Sequence, residues 1–165
     1  MPLQGRLGEH RPFQAMSPIS MVHATLEQDA RPIIATLHPA EHYNSADLHA
    51  LEDLIRRYPR LDVRRADPLP LLAACDLVVT QNASVALTGY FLKKPAVLFA
   101  GIDFHHIAGS VPREGIAKAF QRAECSTPDH AAYLYWFFHL NTINGAAPDA
   151  EAKILGRFTR LGWQF

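Results

Sequence analysis

The sequence predicts an α/β protein, a single Rossmann-like three-layer domain with a mostly parallel sheet. Three observations predict it. Short apolar runs at 32–37, 77–80 and 96–100, the first two rich in β-branched residues, are too brief for helices, and Leu61-Asp62-Val63-Arg64 is a further plausible strand. Segments with helical spacing of apolar residues separate them, and the three apolar runs do not alternate in polarity, as expected of strands covered on both faces.

The elements follow in order. Pro2-Leu3 reads as a first strand cut short. Ser17-Pro18 supplies a cap and a proline at the first helical position, opening a helix that aligns Ile19, Val22 and Leu26. The 32–37 strand leads to Asn44-Ser45-Ala46-Asp47, a cap for a helix with Leu48, Leu51, Leu54, Ile55 and Tyr58 on one face. After the 61–64 strand, Asp67-Pro68 opens an expected helix through Leu71, Leu72 and Ala74. The 77–80 strand enters a helix from Ser84 to Leu92, and Lys94-Pro95 precedes the 96–100 strand. A long loop follows. Thr127-Pro128-Asp129 then opens an aromatic helix from Tyr133 to Leu140, and Pro148-Asp149 opens a last helix with Ile154, Leu155, Phe158 and Leu161 inward and Gly162 as its stop. The expected organisation is one domain over 1–165, with the helices of 127–165 packed on it.

Composition bounds the function. A chain of 165 residues with 48% hydrophobic residues can bury about two-thirds of its unfolded surface, which excludes disorder and a disulfide-stapled miniature. Sixteen basic residues balance sixteen acidic ones, so no overall field draws it to nucleic acid or an anionic membrane. No apolar run approaches the roughly 20 residues of a membrane span, and no signal-peptide core follows Met1, which reads as cytoplasmic. Cys75 and Cys125 form no CxxC or Cys/His spacing, so no metal site is indicated.

Ligands of open parallel sheets bind beyond the carboxyl ends of the strands. Four polar clusters fall there. His38-Pro39 ends one strand, and Pro39 holds His38 extended, so its imidazole could meet a phosphate or satisfy loop carbonyls. Thr80-Gln81-Asn82-Ala83-Ser84 runs from a strand into a helix, where free N–H groups suit an anion but Asn82 or Ser84 could equally be a plain cap. Asp103, His105 and His106 follow the fourth strand, as ligand contacts or as solvated loop residues. Gln4-Gly5-Arg6 leaves the first strand, either as a further contact loop or as a frayed terminus.

Together, Leu3-Gln4-Gly5-Arg6-Leu7, Leu37-His38-Pro39, Val79-Thr80-Gln81-Asn82-Ala83-Ser84 and Lys94-Pro95-Ala96-Val97 resemble the carboxyl-terminal, donor-binding half of GT-B glycosyltransferases. More narrowly, they resemble capsular-polysaccharide biosynthesis transferases that use CMP-linked Kdo or sialic-acid-type donors, and the resemblance runs from about Leu3 to the Asn141 region. The resemblance implies a nucleotide-sugar substrate and no separate cofactor, with His38, Pro39, Gln81, Asn82 and Ser84 around the nucleotide phosphate. Gln4, Gly5, Arg6, Asp103, His105 and His106 would be donor-loop contacts. Ala83 stands where that family usually has a second hydroxyl residue. The acceptor domain and its general base have no counterpart in the sequence, so a missing domain or second chain is an expected partner, and the catalytic residue is unassigned. The competing expectation is a non-catalytic module that assembles, as a homodimer, through the aromatic helix or the edge of the shortened sheet.

Overall fold

A computed structural model describes residues 1–163. The chain divides into one unit from Met1 to Pro128 and a second from Asp129 onward.

In the first unit, β1 (Pro2–Leu3) and β3 (Leu61–Arg65) flank β2 (Ile33–Leu37) in a parallel sheet. Pro2 stands opposite Thr36, and the β2–β3 register runs from Ile33 opposite Leu61 to Leu37 opposite Arg65. A second parallel sheet has β5 (Ala96–Leu98) between β4 (Val78–Thr80) and β6 (Gly109–Ser110). β1 lies beside β4 with no ladder between them, so the strands run 3-2-1 and then 4-5-6.

The expected single sheet is therefore two small ones, and the reason lies in Pro2. The Met1 amine donates to the Ile34 carbonyl at 2.8 Å, and the Met1 carbonyl accepts the Thr36 N–H at 2.8 Å. Alternation then turns Pro2 toward β4, and proline has no N–H to offer a ladder.

The helices of this unit begin as the caps direct. Ser17 Oγ accepts the Ser20 N–H at 3.2 Å at the start of α1 (Pro18–Gln28). Asn44 Oδ1 accepts the Asp47 N–H at 2.7 Å at the start of α2 (Ser45–Arg57). On α2, Leu51 is buried and Leu54 half-buried, whereas Leu48 and Ile55, expected on the same buried face, are exposed. The helix expected after Asp67 is only a 3-10 turn, Leu69–Leu71, because Pro70 inside it lacks the N–H a longer helix needs. α3 (Val85–Phe91) is seven residues long.

The region after Phe99, expected to be a loop, holds β6, α4 (Val111–Glu114) and α5 (Ile116–Cys125). α5 buries Ala119, Phe120 and Ala123, and the Phe120 ring meets Phe99 edge-on at 6.5 Å between centroids. Gly109 allows the approach: a Cβ there would lie 1.9 Å from the Ala119 carbonyl oxygen. Leu3, Leu7, Met21, Val22, Ala35 and Val97 complete the centre of this core.

In the second unit, Asp129 Oδ1 accepts the Ala132 N–H at 2.9 Å and caps α6 (His130–Tyr135). The expected continuous helix widens instead into a π-helical turn, Trp136–Asn141. α7 (Ala150–Arg160) ends before Gly162, whose φ is 85°. The Arg157 guanidinium donates to the Leu140 and Asn141 carbonyls at 3.1 Å, tying α7 to that turn. Ile154, Leu155, Phe158 and Leu161, expected inward, are exposed. Among the described residues no helix is long and apolar enough to cross a membrane.

Candidate functional site

At the carboxyl ends of β1 and β2, one hydroxyl joins the two strand tips. Tyr43 Oη accepts the His38 N–H at 2.9 Å and donates to the Leu3 carbonyl at 3.2 Å, and burial raises its pKa above the ordinary phenol value. His38 Nδ1 accepts the Ala40 N–H at 3.3 Å, which leaves Nε2 as the ring nitrogen outside the turn. The Arg65 guanidinium lies 5.7 Å from the Tyr43 ring centre and donates to the Pro39 and Glu41 carbonyls at 3.0 and 3.3 Å. The His38-Pro39 turn is thus supported from beneath by two side chains.

The loop after β1 is held by carboxylates. Gly5 has φ 72°, and its N–H donates to Glu41 Oε2, while the Gly8 N–H donates to Asp47 Oδ1 at 2.9 Å. Both amides are of the kind that would otherwise face an anion. Gln4 is exposed, and Arg6 forms an exposed ion pair with Glu9 at 3.3 Å, of the class that adds little to stability.

Beyond Gly8 the same loop crosses to the second sheet. Gln14 bridges Ala100, the Ala15 N–H donates to the Phe99 carbonyl at 2.7 Å, and the Gly101 N–H donates to the Phe13 carbonyl at 2.8 Å. Gln81 faces inward, its Nε2 donating to the Met16 carbonyl at 2.9 Å, and its buried Oε1 has no hydrogen-bond partner. Asn82 is half-buried and Ser84 exposed. Ser84 makes no side-chain cap bond to α3; the turn is closed by Thr80 Oγ1, which accepts the Ala83 N–H at 3.3 Å.

After β5, His105 and His106 stack at 4.3 Å between ring centroids, and His105 Nδ1 bonds the Ile102 carbonyl. Burial, followed by the charges of His105 and Arg113, holds the His106 pKa below its usual value. Asp103 is exposed in the same loop. Among the described residues no group of three His, Cys, Asp or Glu is placed to hold a metal ion.

The fold therefore brings the loops after β1, β4 and β5 to one edge and carries His38 there on β2. Since β1 stands between β2 and β4, the axes of those two strands are on the order of 10 Å apart. His38 and Ser84 face an extended ligand better than one small ion. Glu41, an acid near a strand tip, is readable as a candidate from the sequence, whereas Tyr43, Arg65 and Asp47, which also shape this edge, lie outside the predicted site residues. Arg65 ends β3, Asp47 stands in the first turn of α2, and Tyr43 lies in the loop between β2 and α2. A cavity of about 340 Å³ lies elsewhere, at the amino-terminal ends of β1, β2 and β4.

Compared with family models, curated proteins and solved structures, the chain matches none of them.

Proposed function

We propose that the unit from Met1 to Pro128 is a donor-binding domain of the GT-B glycosyltransferase kind, taking a CMP-linked sugar along the edge between His38 and Ser84. The observation that carries this reading is the strand order, 3-2-1 then 4-5-6, whose reversal between β1 and β4 is where doubly wound sheets bind nucleotides. His38 Nε2 would donate to the nucleotide phosphate, with Arg6 adding charge as the leaving group departs. Gln81 supports the turn beneath Asn82 and Ser84 rather than reaching the ligand. The base and the acceptor site belong to a further domain or chain, and the product would be a capsular or other glycan.

One observation favours the second reading, a non-catalytic assembly module. Glu41 and Asp47 already occupy the Gly5 and Gly8 amides, so part of an anion-binding loop is satisfied from within.

Calorimetry with CMP, UMP and AMP tests the proposal. CMP binding is expected. Binding of UMP in preference would keep the site and change the donor class, and no heat with any nucleotide from folded protein would leave the module.

A further inference from the structure

In the second unit, α7 borders a cleft of about 270 Å³ together with the π-helical turn and the loop that follows it. Lys153, Arg157 and Arg160 line it from α7, three cations at i, i+4 and i+7 on a single helix. His139, Leu140 and Asn144 line it from the other side. Like charges three and four residues apart oppose each other along a helix, and Lys153 stands near the amino-terminal end of α7, where the helix dipole disfavours a cation. Asp149 pairs with Lys153 at 2.8 Å. The two arginines have uncharged partners: Arg157 donates to the Leu140 and Asn141 carbonyls, and Arg160 Nε to the Gly156 carbonyl at 3.3 Å. Among the described residues neither guanidinium has a carboxylate partner, so two positive charges border the cleft without a counter-charge.

We propose that this cleft binds the phosphate group of a phosphate monoester. The bonds that tie Arg157 to the turn leave its Nε–H and hold its plane, so a ligand meets an ordered guanidinium rather than a loose side chain. Arg160 keeps both Nη groups as donors, and the Lys153 ammonium has N–H groups beyond the one facing Asp149. Asn144 Oδ1 accepts the Ala146 N–H at 3.0 Å, which leaves its side-chain N–H groups as further donors. The volume lies below the roughly 300–1,000 Å³ of pockets that enclose drug-sized ligands, so a phosphate and the first atoms of its ester fit and a whole nucleotide does not. Leu140 and Ile143 at the rim suit the carbon side of that ester. Leu161 and Trp163, just beyond Arg160, are 67% and 61% exposed, so the same chemistry is open to a lipid headgroup as well as to a soluble ester. The site belongs wholly to the second unit, whereas His38 and Ser84 belong to the first, so it stands or falls independently of nucleotide binding.

The test is an NMR titration of the full chain with glycerol 3-phosphate, against sodium chloride at matched ionic strength. Amides of Lys153, Arg157 and Arg160 report the cleft, and those of His38 and Ser84 report the strand tips. Saturable shifts at the first three are expected. Lys153→Gln combined with Arg160→Gln, which keeps the Arg157 tie, should weaken binding at least about tenfold with helicity unchanged. Arg160→Gln alone, which breaks no ion pair, should act in the same direction. Sedimentation with phosphatidylcholine vesicles, with and without phosphatidic acid, separates the two sources. Binding of glycerol 3-phosphate without sedimentation assigns a soluble ester, and sedimentation that requires phosphatidic acid and is lost in the double variant assigns a lipid headgroup. The proposal is overturned if folded protein binds neither probe, if chloride shifts the same amides as far, if the variants bind as the wild type does, or if vesicles bind equally without phosphatidic acid.

Discussion

The Gly8 N–H donates to Asp47 Oδ1 at 2.9 Å, joining the loop after β1 to the first turn of α2. Asp47 is only 6% exposed, so its carboxylate is committed to this bond. Asp47→Ala should destabilise the first unit by about 1–3 kcal/mol, because it strands a backbone donor. Asp47→Asn, which keeps an acceptor, should cost less. Urea unfolding of both variants decides it; equal losses would mean that the bond is not what Asp47 supplies.

The buried Met1 amine gives stability a pH dependence of fixed sign. Its pKa is 8.0 in the unfolded chain and about 6 in the fold, so the unfolded state binds more protons between those values. Stability should therefore rise from pH 6 to pH 8, by at most about 3 kcal/mol. Denaturation midpoints across that window measure it, and acetylating the amine should flatten the slope.

Gly109→Ala should be among the more damaging small substitutions, since the added methyl meets the Ala119 backbone, which cannot move aside as a side chain could. A loss at the upper end of the about 1–3 kcal/mol of overpacking is expected. Gly145→Ala, where nothing lies within 4 Å, is the control and should change the melting temperature little.

If a nucleotide occupies the strand tips, His38→Ala should weaken it at least about tenfold, the value of one charge-assisted hydrogen bond. His106→Ala should cost less, because its ring stacks on His105 in the loop after β5. Equal losses by calorimetry would move the site to that loop.

Self-association is expected through the aromatic segment of the second unit, where Tyr135, Phe138 and Leu140 are exposed. Light scattering should give a dimer at micromolar concentration, and Leu140→Glu should weaken it without loss of helicity. A wild-type mass of 18.4 kDa would refute the dimer.

Much of the first unit was legible because its signals are local. Ser17-Pro18 and Asn44 mark helix starts by cap chemistry, as Asp129 does in the second unit, and the short apolar runs mark β2, β4 and β5. β6 was hidden by its length of two residues, too short to show any period. α5 did carry a signal, Ile116, Ala119, Phe120 and Ala123 at helical spacing, but alanine makes a weak apolar face. At the strand tips, the position of His38 was readable, whereas its support by Tyr43 and the closure of Gly5 by Glu41 were not. Those contacts depend on which loop folds over which strand, and periodicity does not record that.

The crossing of residues 13–16 to Phe99 and Ala100 sets how the first unit comes apart. With no ladder between β1 and β4, this strap supplies main-chain hydrogen bonds from one sheet's connecting loop to the other sheet. Cutting the backbone between Gly8 and Phe13 releases one end of this strap and leaves the shared core of Leu3, Ala35, Val79, Val97 and Phe99, with the helices packed on it, to hold the sheets together. The consequence is a loss of cooperativity: β1–β3 and β4–β6 should then unfold at different denaturant concentrations, and the amides of Ala15 and Gly101 should be the first to exchange.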